Sequence, residues 1–276
     1  MNIQEFLIRL IAPVLLISAF SFDAAATGPR IKQDLFTPDA NAIYALDFPP
    51  FITTDLADGG LAVEMARSVL AAEKVSASVN SQPLARMLKY YLFQEQALAV
   101  IGAHLNFSAE EQKGLIFVPL LRLKKYFYVH QAKHPQGLPW NNDLQALANT
   151  VYGTDPEENI DAYRKAGIRT ETGKLLSLLE KLKAGQIDFI GEAEPAIDWF
   201  LARNLAADKA SFIRLEPTAG EETIFVIFNK KHPKGETTAK QFKSGLAAMV
   251  ASGQYKTILE KYWAGVGIER YTLPLE

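Results

Sequence analysis

Apolar positions along this chain follow two alternating rhythms, one strand-like and one helical. Residues 42–46 (AIYAL) form a short apolar strand that runs into Asp47-Phe48-Pro49-Pro50-Phe51, where two prolines end any ladder. Turn residues fill 55–60. Residues 61–72 carry apolar side chains at 61, 62, 65, 66, 69 and 72, which is helical spacing. Residues 75–80 alternate and predict a strand. Pro83 then opens a second helix with a stripe of Leu84, Met87, Leu88, Tyr91 and Leu92. Residues 97–103 (ALAVIGA) are continuously apolar, as expected for a strand covered on both faces. The order β-α-β-α-β predicts an α/β sheet.

The alternation restarts near residue 150. Residues 115–129 hold two apolar runs broken by Arg122, Lys124 and Lys125, and residues 138–149 read as a loop with a short helix. A strand ends at Thr150-Val151-Tyr152-Gly153. Asp155-Pro156-Glu157-Glu158 predicts a helix start, with Asp as cap and acids at the positive end of the dipole, and Gly167 closes that helix. Residues 175–184 predict an amphipathic helix, 186–190 (QIDFI) a strand, 195–205 a helix and 223–229 (TIFVIFN) a strand. Two final helices follow at 239–251 and 255–263, parted by Ser252-Gly253. Two α/β halves without a Gly/Ser linker predict two lobes joined by crossing strands.

The N-terminus stands apart. Residues 10–20 (LIAPVLLISAF) are an apolar run of eleven, followed by Ala24 and Ala26 in small-x-small spacing. A bilayer-spanning helix needs about 20 apolar residues. The pattern therefore predicts a signal peptide cleaved after Ala26, and export to the periplasm.

Composition narrows the chemistry. The 276 residues are 49% apolar and 22% charged, which suits a packed core. The absence of cysteine excludes thiol nucleophiles, Cys-based zinc sites, disulfides and lipid anchoring through cysteine. A net charge of −2 gives no basic footprint for nucleic acid. The stretch Gly167 to Lys174 (GIRTETGK) imitates a phosphate loop. It has one residue too many between its glycines, and Leu175 stands where a magnesium-binding hydroxyl belongs. His130 and His134 lie four apart with no third ligand nearby, so no metal site is expected. Glu192 and Glu194 follow the strand at 186–190, at the kind of strand end where ligands bind in open α/β sheets.

Four stretches together resemble the family 3 extracellular solute-binding proteins, the periplasmic amino-acid-type components of ABC importers. They are Asp47-Phe48-Pro49-Pro50-Phe51 with the helix at 61–72; Pro83-Leu84-Ala85-Arg86, similar to a "PWxR" helix opening; Leu182 to Asp188 (LKAGQID); and Met249 to Trp263 (MVASGQYKTILEKYW). The resemblance implies a two-lobed α/β fold of the type II periplasmic-binding kind, with two hinge-crossing strands. Lobe 1 would span 27–122 and 226–276, and lobe 2 would span 123–225. By the same resemblance Phe48 and Phe51 form an aromatic wall, Arg86 grips an anion, and Tyr152 and Thr154 belong to the second-lobe loop. Glu192 and Glu194 stand near the family's amine-binding carboxylate, and Asp47 and His104 complete the candidate ligand-binding set. Two positions depart from the family pattern. Residues 106–113 (NFSAEEQK) contain no Arg, and Ala193 falls where the amine-binding Asp is usual.

The expected protein is thus a monomeric periplasmic binder of a small polar or aromatic-bearing solute, with an inner-membrane ABC permease as its partner. No catalytic residue, metal, cofactor or nucleic-acid partner is expected. The alternatives are a ligand sensor or orphan binder without transport, and an exported dehydratase-like enzyme using Glu192 or Glu194 as acid.

Overall fold

The computed structural model describes residues 38–82, 85–103, 105, 107–264 and 272–273. The predicted signal peptide, residues 1–26, lies outside the described residues. All elements below belong to the unit Pro38–Glu276.

The chain order is β1 (Ile43–Leu46), α1 (Leu61–Ala72), β2 (Val79–Gln82), α2 (Ala85–Phe93), β3 (Ala99–Gly102), α3 (Ala109–Lys113), β4 (Leu115–His130), β5 (Val151–Thr154), α4 (Asp161–Lys165), β6 (Arg169–Thr172), α5 (Leu175–Lys183), β7 (Phe189–Ala193), α6 (Glu194–Asn204), β8 (Phe212–Arg214), β9 (Gly220–Asn229), α7 (Gly235–Ala251), α8 (Gln254–Tyr262) and β10 (Thr272–Leu273). The main sheet order is β2-β1-β3-β9-β4-β7-β5-β6, with β8 and β10 also paired to β4. β1 runs parallel to β2 and β3, and β5 runs parallel to β6 and β7, so the helices between them are crossovers.

Strand β4 joins the two halves. Residues 115–125 pair antiparallel with β9, while residues 125–128 pair with β7 and 128–130 with β8. The β4–β9 ladder shifts register between Pro119 and Leu121, and the Tyr255 hydroxyl donates to the Leu120 carbonyl there at 3.1 Å. The bulge leaves one carbonyl without its ladder partner, and a buried tyrosine supplies the missing donor.

Alternation of side chains distributes each strand over two cores. Ile43 and Ala45 face the core under α1, α7 and α8, while Ala42 and Tyr44 face the core under α2. In the second half Tyr126 and Tyr128 face the core under α5 and α6, while Phe127 and Val129 face Tyr152 and Phe189. Ala193 and Ala196, at the junction of β7 and α6, pack into the first half's core.

Four expectations are corrected. The strand expected at 75–80 is β2 at Val79–Gln82, because pairing with β1 begins at Ile43↔Val79. The two runs expected in 115–129 are one strand of 16 residues. Its charged residues do not break it: Arg122 pairs with Glu221 at 2.7 Å and Lys125 with Glu158 at 2.7 Å. The helix expected from Asp155 begins at Asp161, because the Asp155 carboxylate takes the Glu157 amide in a local turn at 2.8 Å. The strand expected at 186–190 begins at Phe189. Asp188 is instead a buried anchor, bound by Lys133, His134 and the Val151 amide, each at 2.8 Å.

Candidate functional site

A cavity of about 260 Å³ opens between the two halves of the sheet. One side is built where β1 ends: Leu46, Asp47, Phe48 and Pro49, with Ala85 from the start of α2. The other side comes from Asp155, Pro156 and Glu157 after β5, Lys174 and Leu175 at the start of α5, Glu192 of β7 and Phe200 of α6. β1 and β5 both deliver their carboxyl ends to it, the position that open α/β sheets reserve for ligands.

Local sequence chemistry holds the first wall. Phe48 and Ile52 close a tight bridge around the two prolines. Gly60 sits at φ +94°, where a β-carbon would stand 2.6 Å from the Phe51 carbonyl oxygen, so any side chain there would collide with backbone. Phe48 packs on Phe51 at 5.1 Å between ring centres, and Phe51 packs on Trp263 at 6.1 Å.

The second wall rests on a buried polar network. Glu158 accepts from Tyr152 Oη at 2.9 Å and from Thr154 Oγ1 at 2.5 Å through one oxygen. The other oxygen pairs with Lys125 Nζ at 2.7 Å. Burial disfavours the Lys125 ammonium, but Glu158, Glu222 and Glu192 around it outweigh burial and hold its pKa above the ordinary lysine value. Burial also raises the Tyr152 phenol far out of its usual range, with Glu158 adding to the effect. Tyr163 stacks on Tyr152 at 4.2 Å. A second, smaller cavity of about 30 Å³ lies against this network, lined by Thr154, Glu158 and Glu192 among others.

The candidate residues from sequence separate into groups. Asp47, Phe48 and Glu192 line the main cavity. Thr154 lines the smaller one, and Tyr152 is fully buried with its hydroxyl on Glu158. Phe51 is fully buried behind Phe48. Glu194 pairs with Arg214 at 2.6 Å. Arg86 is exposed on α2 and is not among the lining residues, although its neighbour Ala85 is. His104 lies outside the described residues. His134 binds Asp188, and the His130 ring packs against Phe212.

Sequence reading missed Lys125, Lys174 and Phe200. Lys174 lay inside the false phosphate-loop stretch; its place after β6 and before α5 was the available signal. Asp47 is linked to it electrostatically: burial and the Asp55 charge raise the Asp47 pKa, and Lys174 across the cavity lowers it.

No protein-family model matches the sequence, and neither does any curated protein. Solved structures do match. The GluR0 ligand-binding core from Nostoc punctiforme, in complex with L-glutamate, aligns at TM-score 0.63 and 16% identity over 80% of this chain and 98% of its own. A mutant of ArgBP from T. maritima aligns at 0.63 and 17% identity over 81% and 95%. A histidine kinase sensor domain similar to periplasmic binding proteins aligns at 0.63 and 16% identity over 83% and 98%. The chain therefore has the two-lobed α/β fold of periplasmic binding proteins. No helix among the described residues is long and apolar enough to cross a membrane.

Proposed function

We propose that this chain is an exported solute-binding protein that holds a small ligand between its two lobes. The cavity lined from both halves of the sheet carries this reading. Its volume lies just below the usual range for small-molecule sites, about 300–1,000 Å³, which suits a small solute. Three kinds of surface meet in it: aromatic (Phe48, Phe200), aliphatic (Leu46, Leu175) and charged. The solved structures of this shape include a glutamate complex and an ancestral arginine-binding protein bound to arginine, which supports a small polar solute.

In this reading lobe 1 spans 27–122 and 226–276, and lobe 2 spans 123–225. β4 and β9 act as the hinge, and closure brings Asp47 and Phe48 toward Glu192 and Lys174. Residues 1–26 direct export, and an inner-membrane ABC permease receives the ligand from the monomeric binder. A thermal-shift screen tests the core claim. A ligand at 100 times its Kd adds about 2.7 kcal/mol of stability. That gain should fall to about 1.4 kcal/mol or less in Phe48→Ala and Phe200→Ala. Absence of a shift with amines, carboxylates, nucleosides and peptides would sink the reading.

A further inference from the structure

The charges around the cavity are unbalanced. Among the described residues four carboxylates line it, Asp47, Asp155, Glu157 and Glu192, against one ammonium, Lys174. Lys125, buried behind the second wall, pairs with Glu158 at 2.7 Å and also feels the charge of Glu192.

Side chains that would grip a carboxylate are, Lys174 apart, engaged or absent from the lining. At the end of β5 the hydroxyls of Tyr152 and Thr154 both turn to Glu158. The Glu157 amide is taken by the Asp155 side chain at 2.8 Å, and the Glu158 amide by the Asp155 carbonyl at 3.1 Å. That loop therefore offers carboxylates to the cavity and keeps those donors for itself. Arg86 is exposed and outside the lining. An anionic group entering here would meet one lining cation, Lys174, and the start of α5, with Asp47 already drawing on the Lys174 charge and three further carboxylates around it. The rest of the lining, with Leu46, Phe48, Leu175 and Phe200 among it, is apolar and suits a hydrocarbon stem.

Resting on the cleft reading above, we infer that the ligand is an organic cation without a carboxylate: a primary amine or guanidinium on a short apolar stem. The carboxylates of Asp47 on one lobe and Glu157 on the other would share its charge as the lobes close. In a partly dehydrated cleft such attractions are several times stronger than in water.

Isothermal titration of the protein with four probes tests this: 1,4-diaminobutane, 4-aminobutylguanidine, L-glutamate and glutarate. The expected result is that an amine or guanidine probe binds at least tenfold more tightly than either carboxylate probe. Asp47→Asn and Glu157→Gln should each weaken that probe at least fivefold, and both positions lie outside the core. A carboxylate probe binding most tightly, and lost in Phe48→Ala, overturns the cation inference and leaves the cleft reading standing. Failure of both cationic probes to bind overturns the inference as well. Amine binding that Phe48→Ala and Phe200→Ala leave unchanged overturns the cleft reading and the inference with it.

Discussion

Lys125 Nζ of β4 lies 2.7 Å from Glu158 Oε1, so the cation buried behind the cavity is satisfied by a residue 33 positions away. The pair anchors the cavity wall that follows β5. It holds Tyr152 and Thr154 to the same carboxylate and fixes the loop that carries Asp155 and Glu157.

Breaking that pair should destabilise the fold. Removing one partner of a buried ion pair costs about 3–5 kcal/mol. The side chains of Lys125 and Glu158 keep 13% and 17% of their exposure, so the lower end, about 3 kcal/mol, is expected for Lys125→Met. Adding Glu158→Gln should return part of the loss. Urea unfolding of the two single variants and the double variant measures this; simple additivity would mean that the two groups do not sense each other.

Acid stability should depend on Asp188. Burial alone would raise its pKa, but Lys133, His134 and the Val151 amide lower it below the ordinary aspartate value. A carboxyl with a depressed folded pKa binds fewer protons in the native state than in the unfolded state. Its contribution is therefore present above the unfolded pKa and lost as pH falls toward the folded one. Asp188→Asn should flatten the decline in stability below the normal carboxylate range and cost about 1–3 kcal/mol at neutral pH. Melting curves from pH 7 to pH 3 provide the check, and parallel declines in the two proteins would refute it.

The wall at Phe48 should fail without Gly60. A β-carbon there would stand 2.6 Å from the Phe51 carbonyl oxygen, at φ +94°. Backbone cannot move aside as a flexible side chain does. Gly60→Ala is expected to cost about 1–3 kcal/mol and to lower ligand affinity by displacing Phe48. Circular dichroism melts combined with titration of a bound solute read both effects.

Arg86 and Phe48 should behave oppositely. Arg86 is exposed outside the lining, and Phe48 is in it. Arg86→Ala should change the affinity of the cleft ligand less than about twofold, under 0.5 kcal/mol. Phe48→Ala should weaken it at least tenfold, about 1.4 kcal/mol. An Arg86→Ala loss as large as that of Phe48→Ala would place the guanidinium in the site when the lobes close.

Local signals recovered most elements. α1 has the predicted bounds, since its apolar spacing is a property of the segment itself. Prolines after β1 marked the loop that forms the first wall. The errors fell where side chains answered distant partners. Asp155 looked like a helix cap and instead closes a turn, while Glu158 reaches back to Lys125. Three charges in 115–129 looked like a break, yet β4 continues because acids on β9 and on the loop after β5 pair with two of them.

The sequence by itself determined the alternating strands and helices, the restart near residue 150, and the aromatic-proline corner at the end of β1. Each is a matter of spacing along a few residues. Only the tertiary structure decided which charges face the cavity. Whether a carboxylate binds its own loop, a buried lysine or an incoming solute depends on strand register and on the approach of segments far apart in the chain. Arg86 and Ala85 are adjacent in sequence, but only Ala85 lines the cavity, because successive helical residues point in different directions.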